Sequence, residues 1–265
     1  IDPYHVERAI TANTKAIIAV HLYGHPAEMD ALRTLAQDYG LYLIEDAAEA
    51  HGATYHGQRT GGLGDCAAFS FYGNKLITSG EGGMLTTNDE VFYQRAKYLR
   101  DHAMSTHRRY WHTEVGYNYR ITNLQAALGT AQLQRIGEFL TKKREIFERY
   151  RSHLEGLPNL QLNFVDAGSE SSYWMVCLQV AGYSAQQRDR LMAFLKERGI
   201  DSRPYFYPLS DMPMYAGSRA RTPIAHTIAA QGINLPSYFD MSLADIDYIC
   251  KTLTRYLAPA GRTVA

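Results

Sequence analysis

The sequence predicts an α/β fold: a mostly parallel sheet with helices on both faces, followed by a smaller α+β domain. Three observations carry this expectation. Apolar, β-rich runs at residues 16–22 and 41–44 flank a stretch, 27–39, whose apolar residues recur at helical spacing. Strand, helix, strand over that distance is the signature of a parallel pair joined by a right-handed crossover. Two more short strands, 66–71 and 83–87, follow with a glycine-containing loop between them. Near residues 154–163 the texture changes to a Gly/Pro/Asn connection, which places a boundary close to 150 and gives domains 1–150 and 151–265.

The elements follow in order. Asp2 is placed to cap a first helix with Pro3 at its first position, Ile1 and Val6 are spaced as a hydrophobic staple, and the helix runs to about Ile10. The helix over 27–39 stops at Gly40. Residues 91–100 read as helix, and one longer helix is expected from Thr122 to about Tyr150. In the second domain a strand (174–180), a helix (185–198, stopped by Gly199), a Pro-rich loop (203–213) and a final helix (243–257) are expected.

Composition bounds the function. The 265 residues hold 27 Lys+Arg and 27 Asp+Glu, so the formal net charge is zero, which argues against nucleic acid or an anionic membrane as main partner. No run reaches the ~18 apolar residues that span a bilayer. Three widely spaced cysteines, Cys66, Cys177 and Cys250, suit a reducing, cytoplasmic setting better than a disulfide framework. Most of the 20 tyrosines are expected in the core and at a subunit interface.

Ligands of parallel α/β sheets bind beyond the carboxyl ends of the strands. One such end reads Leu43-Ile44-Glu45-Asp46-Ala47-Ala48-Glu49. Asp46 there is either a turn cap or a buried carboxylate kept ionised by a cationic partner. A second end reads Phe69-Ser70-Phe71-Tyr72-Gly73-Asn74-Lys75, just before the glycine-rich 78–83. Lys75 is either a solvated surface residue or a desolvated amine able to act as a Schiff-base nucleophile. A carboxylate and a lysine on neighbouring strand ends are what pyridoxal 5'-phosphate requires, one holding the pyridinium proton and the other the aldehyde.

Several linked motifs, in unbroken order from residue 1 to about 257, resemble the DegT/DnrJ/EryC1/StrS sugar aminotransferases. They are Val20-His21-Leu22-Tyr23-Gly24, Glu45-Asp46-Ala47-Ala48-Glu49-Ala50-His51-Gly52, Phe69-Ser70-Phe71-Tyr72-Gly73-Asn74-Lys75 with Gly80-Glu81-Gly82-Gly83, and Gly116-Tyr117-Asn118-Tyr119-Arg120. Arg108-Arg109-Tyr110-Trp111, Ser202-Arg203-Pro204 and Gly232-Ile233-Asn234-Leu235-Pro236 narrow the resemblance to members that act on GDP-4-keto-6-deoxymannose. The resemblance implies a fold-type-I PLP-dependent transferase, a homodimer with shared active sites, and amination of a nucleotide-linked 4-keto-6-deoxy sugar with glutamate as amino donor. It assigns Lys75 the covalent bond to the cofactor and the proton transfer, Asp46 the pyridine nitrogen, and Ser70 the phosphate. Glu49, often Gln in relatives, falls near the phenolic oxygen or the sugar, and Asn118 reaches the phosphate in the neighbouring subunit. Arg109 and Arg120 become contacts for the nucleotide diphosphate, with a plain salt bridge as the alternative for each. Tyr205 and Tyr207 lie in a loop that could line the substrate pocket.

Two departures accompany the resemblance. Relatives often show His in the loop where this chain has Tyr207 or Ser210. Family members also carry a long segment before the equivalent of Ile1, with a Gly-Thr turn for the cofactor phosphate, and this chain is expected to lack it. The rivals are therefore a sugar 3-dehydratase on the same scaffold, against which Lys75 argues because those relatives carry His there, and a truncated, catalytically inert subunit. No metal site is expected, since His51/His56 and His102/His107/His112 lack partners at ligand spacing. No dinucleotide fingerprint, phosphate-binding P-loop or serine-nucleophile elbow is present.

Overall fold

The computed structural model describes residues 1–215 and 222–257. The chain divides into two compact units, Ile1–Leu140 with Val165–Trp174, and Thr141–Phe164 with Met175–Ala265.

The first unit opens with α1 (Pro3–Ala9), which Asp2 caps by accepting from the Tyr4 N–H at 3.0 Å. Ile1 is 60% exposed, while Val6 packs on the core cluster. Then come β1 (Ala16–Val20), a 3-10 turn (Leu22–Gly24), α2 (Met29–Tyr39) and β2 (Tyr42–Asp46). The apolar stripe of α2, Met29, Leu32 and Ala36, is buried against Ile17, Ala19, Leu43 and Leu63. Each large side chain so buried stabilises the fold by roughly 1.5–3 kcal/mol. Gly40 ends α2 in the left-handed region (φ 61°) and returns its N–H to Ala36 and Gln37 carbonyls, as a glycine after a helix does.

A hairpin of β3 (Thr54–Tyr55) and β4 (Gln58–Arg59) turns through His56 and Gly57, whose φ values of 48° and 78° are those of a type I′ turn. After it, β5 (Cys66–Ser70) and β6 (Gly83–Thr87) complete a four-stranded sheet of order β1-β2-β5-β6. The first three strands are parallel and β6 returns antiparallel. The register pairs Val20 with Asp46 and Asp46 with Ala68, so three parallel strands exit along one edge.

Three helices follow: α3 (Glu90–Arg100), α4 (Asn123–Leu133) and α5 (Ile136–Leu154). The single helix expected over 122–150 is two. The last turn of α4 tightens, with Arg135 N–H bonding the Gln132 carbonyl at 2.9 Å, and that i→i−3 bond ends the ladder. Thr122 starts α4 with a capping box to Gln125.

Beyond α5 lie β7 (Leu160–Leu162), β8 (Ser169–Glu170), β9 (Val176–Val180), α6 (Ala185–Lys196), β10 (Arg203–Pro204), α7 (Pro223–Gln231), β11 (Gly232–Leu235) and α8 (Leu243–Leu257). Residues 169–170 belong to the first unit, where β8 joins β3 and β4 in a small antiparallel sheet. The second unit is built on an antiparallel sheet of order β10-β11-β9-β7. Its core includes Ile146, Tyr150, Leu191, Leu195, Ile233, Ile246 and Leu253.

Two polar arrangements mark this second unit, one buried and one at its surface. The Lys143 Nζ, 6% exposed as a residue, donates to the carbonyl and hydroxyl of Ser237 at 2.6 and 2.9 Å, and burial pulls its pKa down to about 7. Arg149 grips Asp247 through two parallel bonds of 2.7 and 2.6 Å. Only Tyr23, Tyr150 and Tyr173 are buried among the described tyrosines, whereas twelve are exposed on the single chain, so tyrosine fills the surface more than the core. Among the described residues no helix is long and apolar enough to cross a membrane.

Candidate active site

The two acidic residues that end β2 point to opposite faces of the sheet and do different things. Glu45 is fully buried and accepts from His21 Nε2 (3.0 Å) and from the backbone N–H groups of Gly61 (2.7 Å), Leu63 (2.7 Å) and Gly64 (2.8 Å). Burial works to raise its pKa, but these bonds together outweigh it and hold the carboxyl below the ordinary range. His21 is fixed in turn, accepting the Ala27 N–H at Nδ1 (3.0 Å). Glu45 is thus a knot for the loop of residues 60–64. Asp46 is half-buried on the other face, where its Oδ1 accepts the Ala48 N–H at 3.1 Å. It does cap the turn, and it does so at the sheet edge where Lys75 emerges.

Lys75 sits on the return loop between β5 and β6. That loop is stitched to itself: Phe71 N–H reaches the Gly82 carbonyl (2.9 Å), Ser79 N–H the Phe71 carbonyl (3.0 Å) and Lys75 N–H the Tyr72 carbonyl (3.0 Å). Ser70, the last residue of β5, accepts the Tyr72 N–H at its hydroxyl (3.2 Å). The Lys75 side chain is 12% exposed, and its Nζ lies 3.5 Å from Glu49 Oε1. It is partnered, not solvated. The other oxygen of Glu49 accepts the Tyr23 N–H at 2.7 Å. Burial of Glu49 raises its pKa, opposed by the Tyr23 bond and by Lys75.

Two further residues at this centre are assigned no role there from the sequence: Trp174 goes unremarked as a site residue, and His51 is weighed only within a motif and as a metal ligand. Trp174 lies with its ring centroid 4.0 Å from Lys75 Nζ, and its indole N–H donates to the Asn74 carbonyl at 2.8 Å. The two are 99 positions apart, and the only local signal was an aromatic residue opening the expected strand 174–180. His51 is buried between Phe69 and Phe71, and neither ring nitrogen has a hydrogen-bond partner among the described residues. Burial, helped by the nearby Lys75 charge, lowers its pKa to about 4.

Arg109, Asn118 and Arg120 lie elsewhere on the first unit, on an exposed segment that folds back on itself through Asp101↔Asn118 and Met104↔His112 bridges. Arg120 pairs with Asp101 at 3.1 Å and the Arg109 guanidinium sits 4.9 Å over the Tyr110 ring. None of the described contacts of Lys75 comes from this segment. Gly116 is required there: a Cβ on it would stand 2.2 Å from the His102 carbonyl carbon and 2.3 Å from the Ala103 nitrogen.

Tyr205 and Tyr207 belong to the second unit. The Tyr205 ring lies flat on Gly232, where a Cβ would come within 2.0 Å of it. Tyr207 is exposed beneath the Arg188 guanidinium, 5.7 Å away. Ser210 is buried and its hydroxyl meets His226 Nε2 at 3.0 Å, with His226 Nδ1 3.0 Å from Asp211. Among the described residues no three His, Cys, Asp or Glu side chains cluster as metal ligands do.

Residues 1–254 match the model of the DegT/DnrJ/EryC1/StrS aminotransferase family. The chain is 42% identical over 251 residues to the GDP-perosamine synthase of Escherichia coli O157:H7, covering 95% of this chain and 68% of that protein. It is also 42% identical over 253 residues to the GDP-perosamine synthase of Vibrio cholerae, covering 95% and 69%. Among solved structures it resembles S. venezuelae DesV, with a TM-score of 0.90 at 34% identity over 98% of this chain and 70% of that one. A putative sugar aminotransferase of Streptococcus pneumoniae, Spr1654 in its PLP form, matches with a TM-score of 0.90 at 27% identity, covering 98% and 73%. With nearly its whole length matched, the chain belongs to the DegT/DnrJ/EryC1/StrS aminotransferase family.

Proposed function

We propose that the protein is a pyridoxal-phosphate-dependent aminotransferase that converts GDP-4-keto-6-deoxymannose to the 4-amino sugar, with glutamate as amino donor. The observation that carries this reading is the placement of Asp46 and Lys75 at neighbouring parallel strand ends, in a chain 42% identical to GDP-perosamine synthases.

The residues present fit the cofactor. A half-buried carboxylate, a nearly buried amine and a buried imidazole whose nitrogens meet no hydrogen-bond partner in good geometry among the described residues share one sheet edge. An apolar cluster would leave no such groups, because unpaired buried polar atoms are costly. Pyridoxal phosphate, when bound, supplies the electron sink that lets an amino group leave one carbon and enter another.

Within that scheme Asp46 holds a proton on the ring nitrogen and Ser70 binds phosphate. Lys75 is the nucleophile, and its Nζ takes and returns the proton between donor and acceptor carbons. Glu49, whose carboxyl takes up a proton more readily than an ordinary glutamate, stands 3.5 Å away to exchange a proton with that amine. Arg109 and Arg120 supply planar donors for a diphosphate, and Tyr205 and Tyr207 supply substrate contacts from their own loop. Asn118 serves the phosphate of a second subunit, in a homodimer with shared active sites. Support for a second copy comes from α4, which buries none of its residues although Leu124, Leu128 and Leu133 are apolar and exposed. A cytoplasmic enzyme suits a soluble nucleotide-sugar substrate.

The test is direct. Added pyridoxal phosphate should give the protein a visible absorption band that Lys75→Ala abolishes, with activity down at least about a thousandfold. A panel of GDP-, UDP- and dTDP-linked keto sugars should yield amino sugar from the GDP substrate alone. A deoxy-sugar product would instead point to the dehydratase, and absence of the band in the unmutated protein would sink the reading.

A further inference from the structure

Lys75 has to be free at some stage of any reaction in which it first holds the cofactor and then passes a proton. A free lysine has four rotatable bonds and no reason to stay in place. The environment of Lys75 supplies one. Its Nζ is held on one side by Glu49 Oε1 at 3.5 Å and on another by the Trp174 ring, 4.0 Å from Nζ to centroid. That distance is well inside the reach of a cation–π contact, and Trp is the aromatic residue that makes it best.

The indole itself is immobilised. Its N–H donates to the carbonyl of Asn74, the residue before Lys75, so the ring is tied to the backbone that carries the lysine. Tyr23 stacks on it at 6.3 Å with a 21° interplanar angle. The same Tyr23, held at a left-handed φ of 55°, donates its backbone N–H to Glu49. One residue therefore braces both groups that hold Lys75. A non-glycine residue keeps such a backbone only where its surroundings enforce it. The segment before Trp174 is fastened to the same turn: Ser172 N–H and Ser171 Oγ both reach the Gly24 carbonyl, at 3.0 and 3.1 Å, and Ser172 Oγ reaches the Glu49 carbonyl at 2.9 Å.

We infer that Trp174 is a positioning residue for Lys75, whose indole face and the Glu49 carboxylate together hold the free amine at the sheet edge, ready to bond the cofactor. The inference rests on the reading above that Lys75 bonds pyridoxal phosphate. No new covalent step is involved; the indole acts through the lysine alone.

The experiment compares two substitutions that both remove the N–H to Asn74 but differ in whether a π face remains. Wild type, Trp174→Phe and Trp174→Met are freed of cofactor, mixed with pyridoxal phosphate, and followed by the rise of the visible band. Trp174→Phe should stay within about threefold of wild type, and Trp174→Met should be slower by about tenfold or more. In a Lys75→Ala background, adding Trp174→Met should leave the equilibrium affinity for pyridoxal phosphate unchanged. Equal rates for Met and wild type overturn the inference. So does a Phe variant as slow as Met, or a double variant that binds more weakly than Lys75→Ala alone, because the ring would then be serving the cofactor or the fold. Failure of the wild-type band is a different outcome, and it strikes the function proposed above. Thermal melts of each variant show that the comparison is made on folded protein.

Discussion

At the scale of single residues, the adjacent residues Glu45 and Asp46 part to opposite faces of the sheet, one into a buried knot and the other to the edge beside Lys75. Their identity and place at a strand end were visible in the sequence, but which of them is buried among donors depends on the loop of residues 60–64 coming back over β2. Glu45→Gln should therefore destabilise the protein by about 2–4 kcal/mol, since an amide NH2 would face N–H donors already aimed at a carboxylate oxygen. Urea denaturation measures this, and a loss under about 1 kcal/mol would mean that the four hydrogen bonds do not act as described. Lys75 was legible because glycine surrounds it and a strand precedes it. Trp174 was not, since nothing in a sequence ties position 174 to position 75. His51 looked like one histidine of ten, and only its burial without partners distinguishes it.

At the scale of elements, local chemistry predicted well wherever a cap or a glycine stop was in play, as at Asp2 and Pro3 in α1 and at Gly40 after α2. It failed where a helix ended without either. The break between α4 and α5 falls at Gln134 and Arg135, two good helix formers, and only the tightened final turn records it. The β3–β4–β8 sheet was also hidden, because strands of two residues carry too little periodicity to read. The folded-back segment that carries Asn118 and Arg120 depends on Gly116. Gly116→Ala would set a methyl against the His102 and Ala103 backbone, which cannot move aside as a side-chain tip can. Activity should drop by about tenfold or more and the affinity for pyridoxal phosphate should fall with it, because in a homodimer each site would lose the Asn118 of its partner. Unchanged activity and cofactor affinity would show that the segment serves neither.

At the scale of the whole molecule, two buried bases shape stability against pH. His51 takes a proton near pH 4 when folded and near 6.5 when unfolded, so the unfolded state binds more protons between those values and stability falls as pH drops through that window. Lys143 titrates near 7 folded against 10.5 unfolded, so between those values the unfolded chain again holds the extra proton and stability rises with pH. Denaturation midpoints from pH 4 to 10 should trace both slopes. Lys143→Met should flatten the upper one, and an unchanged slope would remove Lys143 as its source. The shared active sites proposed above make a separate prediction: inactive Lys75→Ala and Asn118→Ala proteins, unfolded and refolded together, should recover about a quarter of wild-type activity through mixed dimers. No recovery would mean that each chain completes its own site.

The antiparallel return of β6 has one more consequence. A crossover helix leaves a loop free to vary in length, but a return to the neighbouring strand fixes both its ends. The loop that carries Lys75 therefore keeps its shape only while β5 and β6 stay paired. If β6 frays from β5, the Phe71–Gly82 tie opens and Lys75 loses its seat before the rest of the sheet has melted. Amide protons of residues 83–87 should then lose protection from exchange at the same denaturant concentration at which the cofactor is released. The protein's chemistry would be switched off by local opening of one strand while most of the molecule stayed folded.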